Sequence, residues 1–144
     1  MYQILILPAL AGIVAQICKF LINSNNLKIN LKNFTAYSGM PSGHSAIVIS
    51  LATIVGLVEG WNSSFFAITA ILALIVIRDA LGIRQYLGQH GKTLNILVKD
   101  LDDDNVLEQK YPHLLEKIGH TPAQVIAGSL IGFIISMAGF FILN

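Results

Sequence analysis

The chain has 144 residues, 54% of them hydrophobic and 12% charged, with a formal net charge of +1. That length allows one domain, 1–144, and the balance is that of a chain solvated by lipid more than by water. The basic residues are too few and too scattered for a nucleic-acid surface. The single cysteine, Cys18, excludes an intrachain disulfide and reads as a small packing residue in an apolar run.

Four apolar runs follow one another: Ile4 to Ile22, Ser45 to Val58, Phe65 to Ile77 and Ala123 to Leu143. A spanning helix needs roughly 17 to 25 residues. The first and last meet that directly. The second does so if it begins at Pro41 or Ser42, and the third if it runs from Ser63 to Leu81. The first run has no basic residue ahead of it and Lys19 only near its end, so it reads as a retained span and not a cleaved leader. Between runs two and three, Glu59-Gly60-Trp61-Asn62 forms a short polar connection with Trp61 at interfacial depth. Two longer connections cover about 23–40 and 82–119. The second of these reads as an amphipathic stretch followed by a solvated acidic turn, Asp100 to Asn105. The expected fold is therefore all-α: a polytopic membrane protein of four transmembrane helices with an amphipathic connection between helices three and four.

Helices that alternate in direction place the end of the first, the start of the second, the end of the third and the start of the fourth on one side. Every Lys and Arg belongs there: Lys19, Lys28, Lys32, Arg78, Arg84, Lys92, Lys99, Lys110 and Lys117. The other side carries only Glu59. The positive-inside rule then predicts a multi-pass protein of the cell (inner) membrane, with the basic side cytoplasmic and both termini outside.

Two helix entries lie on that basic side. Met40-Pro41-Ser42-Gly43-His44-Ser45 offers Ser42 as N-cap, and Gly119-His120-Thr121-Pro122-Ala123-Gln124 offers Thr121 as N-cap, Pro122 at the first helical position and Gln124 as the return arm of a capping box. Each entry carries a histidine, and helix N-termini attract anions, phosphate above all. Lys19 and the pair Arg78-Asp79 stand at the membrane boundary, where a charge has a partner or a task. Two imidazoles, two cations and two helix N-termini suit phosphoryl transfer through histidine. One ring attacks phosphorus, the other protonates the leaving oxygen, and no metal or other cofactor is called for.

With their order along the chain, the segments Met40 to Ala46, Arg78 to Arg84 with Leu94-Asn95, and Gly119 to Pro122 with Val125 and Gly128 resemble the divergent PAP2 family. That family is related to the type 2 phosphatidic acid phosphatases and the vanadium-dependent haloperoxidases. The resemblance spans nearly the whole chain. It implies a membrane-embedded phosphatase acting on a lipid or isoprenoid phosphate or diphosphate, with His44 as general acid and His120 as nucleophile. Lys19 and Arg78 would bind phosphate together with Ser42, Gly43 and Arg84. Where the wider superfamily places an orienting acid and an arginine, this chain has Gln124 and Leu114, and Asn25-Asn26 replaces an Arg-Pro. Gln124 either orients His120 or serves the capping box, and Asp79 is the alternative orienting carboxylate. The rival readings are a non-catalytic protein that binds anionic lipid headgroups and a structural subunit of a membrane assembly.

Gly128 and Gly132 form a small-xxx-small pattern in line with His120 and Gln124, suited either to packing within the chain or to a homodimer seam. His90 and His113 read as solvated. Gln85, Gln89 and Asn95 are candidates for the mouth of the site.

Overall fold

The computed structural model describes residues 2–22, 39–101, 111, 113–116 and 118–143. Among the described residues there are five helices: α1 (Tyr2–Leu21), α2 (Gly43–Glu59), α3 (Ser64–Leu81), α4 (Ile83–Leu101) and α5 (Pro122–Leu143). By length and composition, α1, α5 and the stretch Ser64–Leu101 that contains α3 can each cross a membrane, and α2 is a shorter apolar helix. The connection at 23–38 and the acidic residues Asp102 to Asp104 lie outside the described residues.

Local chemistry sets the helix boundaries. The Ser42 hydroxyl accepts the Ser45 N–H at 3.4 Å, and the Ser63 hydroxyl accepts the Phe66 N–H at 3.1 Å, so each serine satisfies a first-turn donor. Gly60, at φ +93°, ends α2 in a conformation that a side chain would resist. Trp61 then folds back over Gly56, where an added Cβ would lie 2.6 Å from the ring. Its edge meets Phe66 at 5.0 Å between ring centres. The bend between α3 and α4 has an equally specific cause. The Ala80 carbonyl, which a continuing helix would give to its own next turn, accepts the His120 N–H at 3.0 Å, and the Gly82 N–H closes on the Arg78 carbonyl at 2.9 Å.

At the centre is a parallel pair, α2 and α5. A Cβ on Gly128 would stand 2.1 Å from the Ser42 carbonyl oxygen, and one on Gly132 would stand 2.2 Å from that of Ala46. One further turn along, the Ser136 hydroxyl donates to the Ser50 carbonyl at 2.8 Å. Its one proton is thereby used, so the Ser50 hydroxyl donates to Ser136 across 2.7 Å. Ser42, Ala46 and Ser50 face Gly128, Gly132 and Ser136 in constant register, which is parallel packing of two four-residue stripes. In lipid, where apolar burial offers little between helices, such close approach and internal hydrogen bonding supply the attraction. The Gly128/Gly132 face is occupied by α2, and this replaces the homodimer seam with an intramolecular one.

Against this pair α1 runs antiparallel. Its Gly12 accommodates Ile47, its Leu7 covers Gly139, and Ala11 and Ala15 join Ala46 in a buried cluster flanked by Ile135. The Gln3 amide reaches the Leu143 carbonyl at 3.4 Å, so the start of α1 meets the end of α5. Both histidine-bearing entries therefore lie at the opposite end, beside Lys19. The outward residues of α1 and α3, among them Leu5, Ile6, Ile13, Ile17, Ile68, Ile71, Leu74 and Ile75, are large, apolar and exposed, as lipid-facing surfaces are.

Candidate active site

Register within the α2–α5 pair carries the site. The Ser42 N–H donates to the Gln124 carbonyl at 2.9 Å, which locks the entry of α2 to the first turn of α5. His44 and His120 are thus held on neighbouring helix starts. Beneath them Ser42 and Ser45 are fully buried, and the Ser45 hydroxyl donates to that of Ser42 at 3.0 Å. Gly43 lies against α1, with the Gln16 side chain 3.8 Å from where its Cβ would be.

His120 is fixed at three atoms and only 3% exposed. Its N–H goes to the Ala80 carbonyl, its own carbonyl accepts the Gln85 amide at 2.7 Å, and its Nδ1 lies 3.2 Å from Gln124 Oε1. The Thr121 N–H donates to that same Oε1 at 3.0 Å, while the Gln124 N–H reaches the Thr121 hydroxyl at 3.4 Å. A backbone donor identifies the shared atom as oxygen, an acceptor only, so a neutral His120 must carry its proton on Nδ1. Its Nε2 then carries the lone pair. The choice set by sequence between capping and orienting does not arise, because one oxygen does both. Burial lowers the His120 pKa below its ordinary 6.5. The Gln124 hydrogen bond opposes that shift, and the charges of Lys19, His44 and Arg84 add to it.

His44 is different. It is exposed in the first turn of α2, where the charges of Arg84, Lys19 and Asp79 act on it. Lys19 reaches the same region from the last turn of α1 and is 3% exposed, because it continues the buried stripe of Ala11 and Ala15. Asp79 pairs with Arg84 Nε across the α3–α4 bend. The carboxylate considered as an alternative orienter of His120 therefore holds a guanidinium, and Gln124 holds the imidazole. Arg84 and Lys19 are the cations whose fields reach both rings, and Arg78 is exposed one residue before Asp79.

Sequence reasoning missed how His120 is held from behind. Residues 113–116 and 118–120 lie back along α4: Asn95 bonds both backbone groups of Leu114 at 2.9 Å and the Glu116 carboxylate at 2.9 Å. Gly91 and Gly88 lie so close that a Cβ would fall 2.8 Å from the Leu115 carbonyl oxygen and 2.4 Å from that of Glu116. Gln85 completes the row at His120. Its spacing from Gly88, Gly91 and Asn95 marks one face of α4, and that periodicity was the available signal. Asn95 thus pins a connection and does not line the site. His113 is exposed, with Asn95 at 3.3 Å from its Nδ1. Gln89 and His90 are exposed.

Apolar helices with lipid-type outer surfaces, closed by small-residue packing, define an all-helical membrane protein with a polar cluster at one end of its bundle. The model of the divergent PAP2 family matches residues 2–135, and the chain belongs to that family. It is also 36% identical over 146 residues to the uncharacterized membrane protein YuiD of Bacillus subtilis (strain 168), an alignment covering 92% of this chain and 90% of that protein. No solved structure matches.

Proposed function

We propose that the protein is a membrane-embedded phosphatase that hydrolyses a lipid or isoprenoid phosphate or diphosphate through a phosphohistidine. The observation that carries this reading is the shared Gln124 oxygen, which leaves His120 Nε2 as a fixed lone pair beside His44, Lys19 and Arg84. In the first step Nε2 bonds to phosphorus as the bond to the ester oxygen breaks, and protonated His44 gives its proton to the departing oxygen. Lys19, Arg84, Arg78 and the Gly43 N–H at the start of α2, beside the Ser42 cap, offset the charge on the phosphoryl oxygens. Neutral His44 then takes a proton from water, which attacks phosphorus and releases phosphate and free His120.

Under this reading α1, α2, α3 and α5 are four spans of the inner membrane, with the site on the cytoplasmic face and the termini outside. The substrate's tail stays in the bilayer while its headgroup meets the helix ends. The amide at Gln124, in place of a carboxylate, favours a second reading in which the same pocket binds an anionic headgroup without turnover.

The test is phosphate release from a panel of lipid and prenyl phosphates by detergent-purified protein, alongside His120→Ala and His44→Ala. Release by the wild type that is lost in both folded variants supports the phosphatase. Equal inertness of all three, with headgroup binding retained, rejects it in favour of the binding protein.

A further inference from the structure

The two lipid-type surfaces of the molecule are built differently. α3 exposes large apolar residues over about half of its circumference, as a helix at the lipid-facing edge of a bundle does, whereas α4 gathers all of its exposed large apolar residues except Ile96 into one narrower stripe. At 100° per residue Ile83, Tyr86, Leu87, Leu94, Leu97 and Leu101 share one side of α4. Ile83, Leu87 and Leu101 are 65%, 55% and 72% exposed. Gly88, Gly91 and Asn95 lie on an adjoining side, about 120° round the helix, which is covered by residues 114–116 and 118, and Lys92 and Lys99 lie opposite the stripe.

The cover fixes the depth of α4. Residues 113–116 and 118 carry no helix, so their backbone groups are not satisfied within the segment as they are in a spanning helix. Non-helical backbone is not tolerated against hydrocarbon. α4 and its cover therefore cannot stand in the membrane as a further span, although α4 is about 28 Å long at 1.5 Å per residue. The covered side must face water together with the adjoining Lys92 and Lys99, and the stripe, opposite those lysines, then faces the bilayer. The stripe also continues from the end of α3 across a single residue, Gly82, so it starts at the membrane boundary.

We infer that α4 is an in-plane anchor. Its partner is the bilayer surface on the basic side, with the six-residue apolar stripe sunk to the boundary between headgroups and acyl chains and with Lys92 and Lys99 on the water-facing side of the helix. Because Gln85 and the Ala80 carbonyl hold His120, this anchoring sets the depth of His120 relative to the headgroups. The inference does not depend on catalysis.

Its test places one nitroxide at a time on the full chain in vesicles of phosphatidylethanolamine and phosphatidylglycerol, in a Cys18→Ala background. Leu87→Cys, Leu94→Cys and Leu101→Cys are compared with Gln89→Cys, Lys92→Cys and Lys99→Cys for collision with oxygen and with a water-soluble nickel chelate. An oxygen-to-nickel ratio several-fold higher at the three stripe positions than at the three others supports the anchor. Equal ratios around the helix mean a solvated α4 and overturn it. Exclusion of both reagents from the stripe means a protein partner, such as a second copy, and overturns it equally. All six positions are exposed, so labelling leaves the packing of the bundle intact.

Discussion

The two helix entries share an origin in capping chemistry and differ in what the fold adds to them. At the start of α2 the capping serines are buried, yet the ring of His44 is exposed and, among the described residues, takes no hydrogen bond. At the start of α5 the ring, the N–H and the carbonyl of His120 are all bound. A group that must attack along one line gains from such fixing, since misplacement of a reacting atom by about 1 Å can cost 10²-fold. A group that hands a proton first to a leaving oxygen and later takes one from water gains from freedom. The contrast between the entries supports the roles assigned above, nucleophile at His120 and acid at His44.

That contrast can be broken most severely at the rings. With the phosphatase active, His120→Ala abolishes phosphate release and single-turnover phosphoryl-enzyme alike, while His44→Ala lowers turnover by about 10²- to 10⁴-fold, the usual contribution of a positioned acid. His44→Ala still forms phosphohistidine, detected as acid-labile label, when the leaving group is a good one such as p-nitrophenolate. Equal loss of labelling in both variants with that substrate would reject the division of roles.

Removing the shared oxygen is the next largest perturbation. Gln124→Ala frees both the ring and the Thr121 N–H, so turnover falls, and loss of the cap costs about 1 kcal/mol in thermal or denaturant unfolding. Gln124→Glu instead sharpens the contrast. A full negative charge at that position raises the His120 pKa and stabilises the imidazolium, so the acid limb of the pH–rate profile moves to higher pH. An unmoved limb would mean that Gln124 serves only the cap.

Separating the helices tests what sets the entries side by side. Gly128→Ala forces a methyl group against the Ser42 carbonyl, and overpacking of this kind costs about 1–3 kcal/mol. The unfolding midpoint falls, and activity falls with it because Ser42 and Gln124 part. Gly139→Ala meets only the flexible end of Leu7 and costs less.

The smallest expected effect is the pH dependence of stability. The folded pKa of His120 lies below its unfolded value, so its contribution to stability is present above pH 6.5 and is lost as pH falls from there through the lowered folded value. In His120→Gln that part of the acid-side slope in unfolding free energy disappears.

The sequence by itself determined the long apolar helices and where they begin. Apolar length gave the long helices, and Ser42, Ser63 and Thr121 with Gln124 gave their starts, because each of these is a local or one-dimensional property. The two histidines were legible for the same reason, as each sits in a capping motif. What tertiary structure decided were the relations between segments far apart in the chain. It set the parallel register of Ser42, Ala46 and Ser50 on Gly128, Gly132 and Ser136, which uses up the face that sequence left open to a second copy. It also gave Asp79 to Arg84 and made one Gln124 oxygen serve two donors, and it returned residues 113–116 and 118–120 along α4 to hold His120. Such choices depend on which donor meets which acceptor across distant segments, and spacing along a single chain does not encode them.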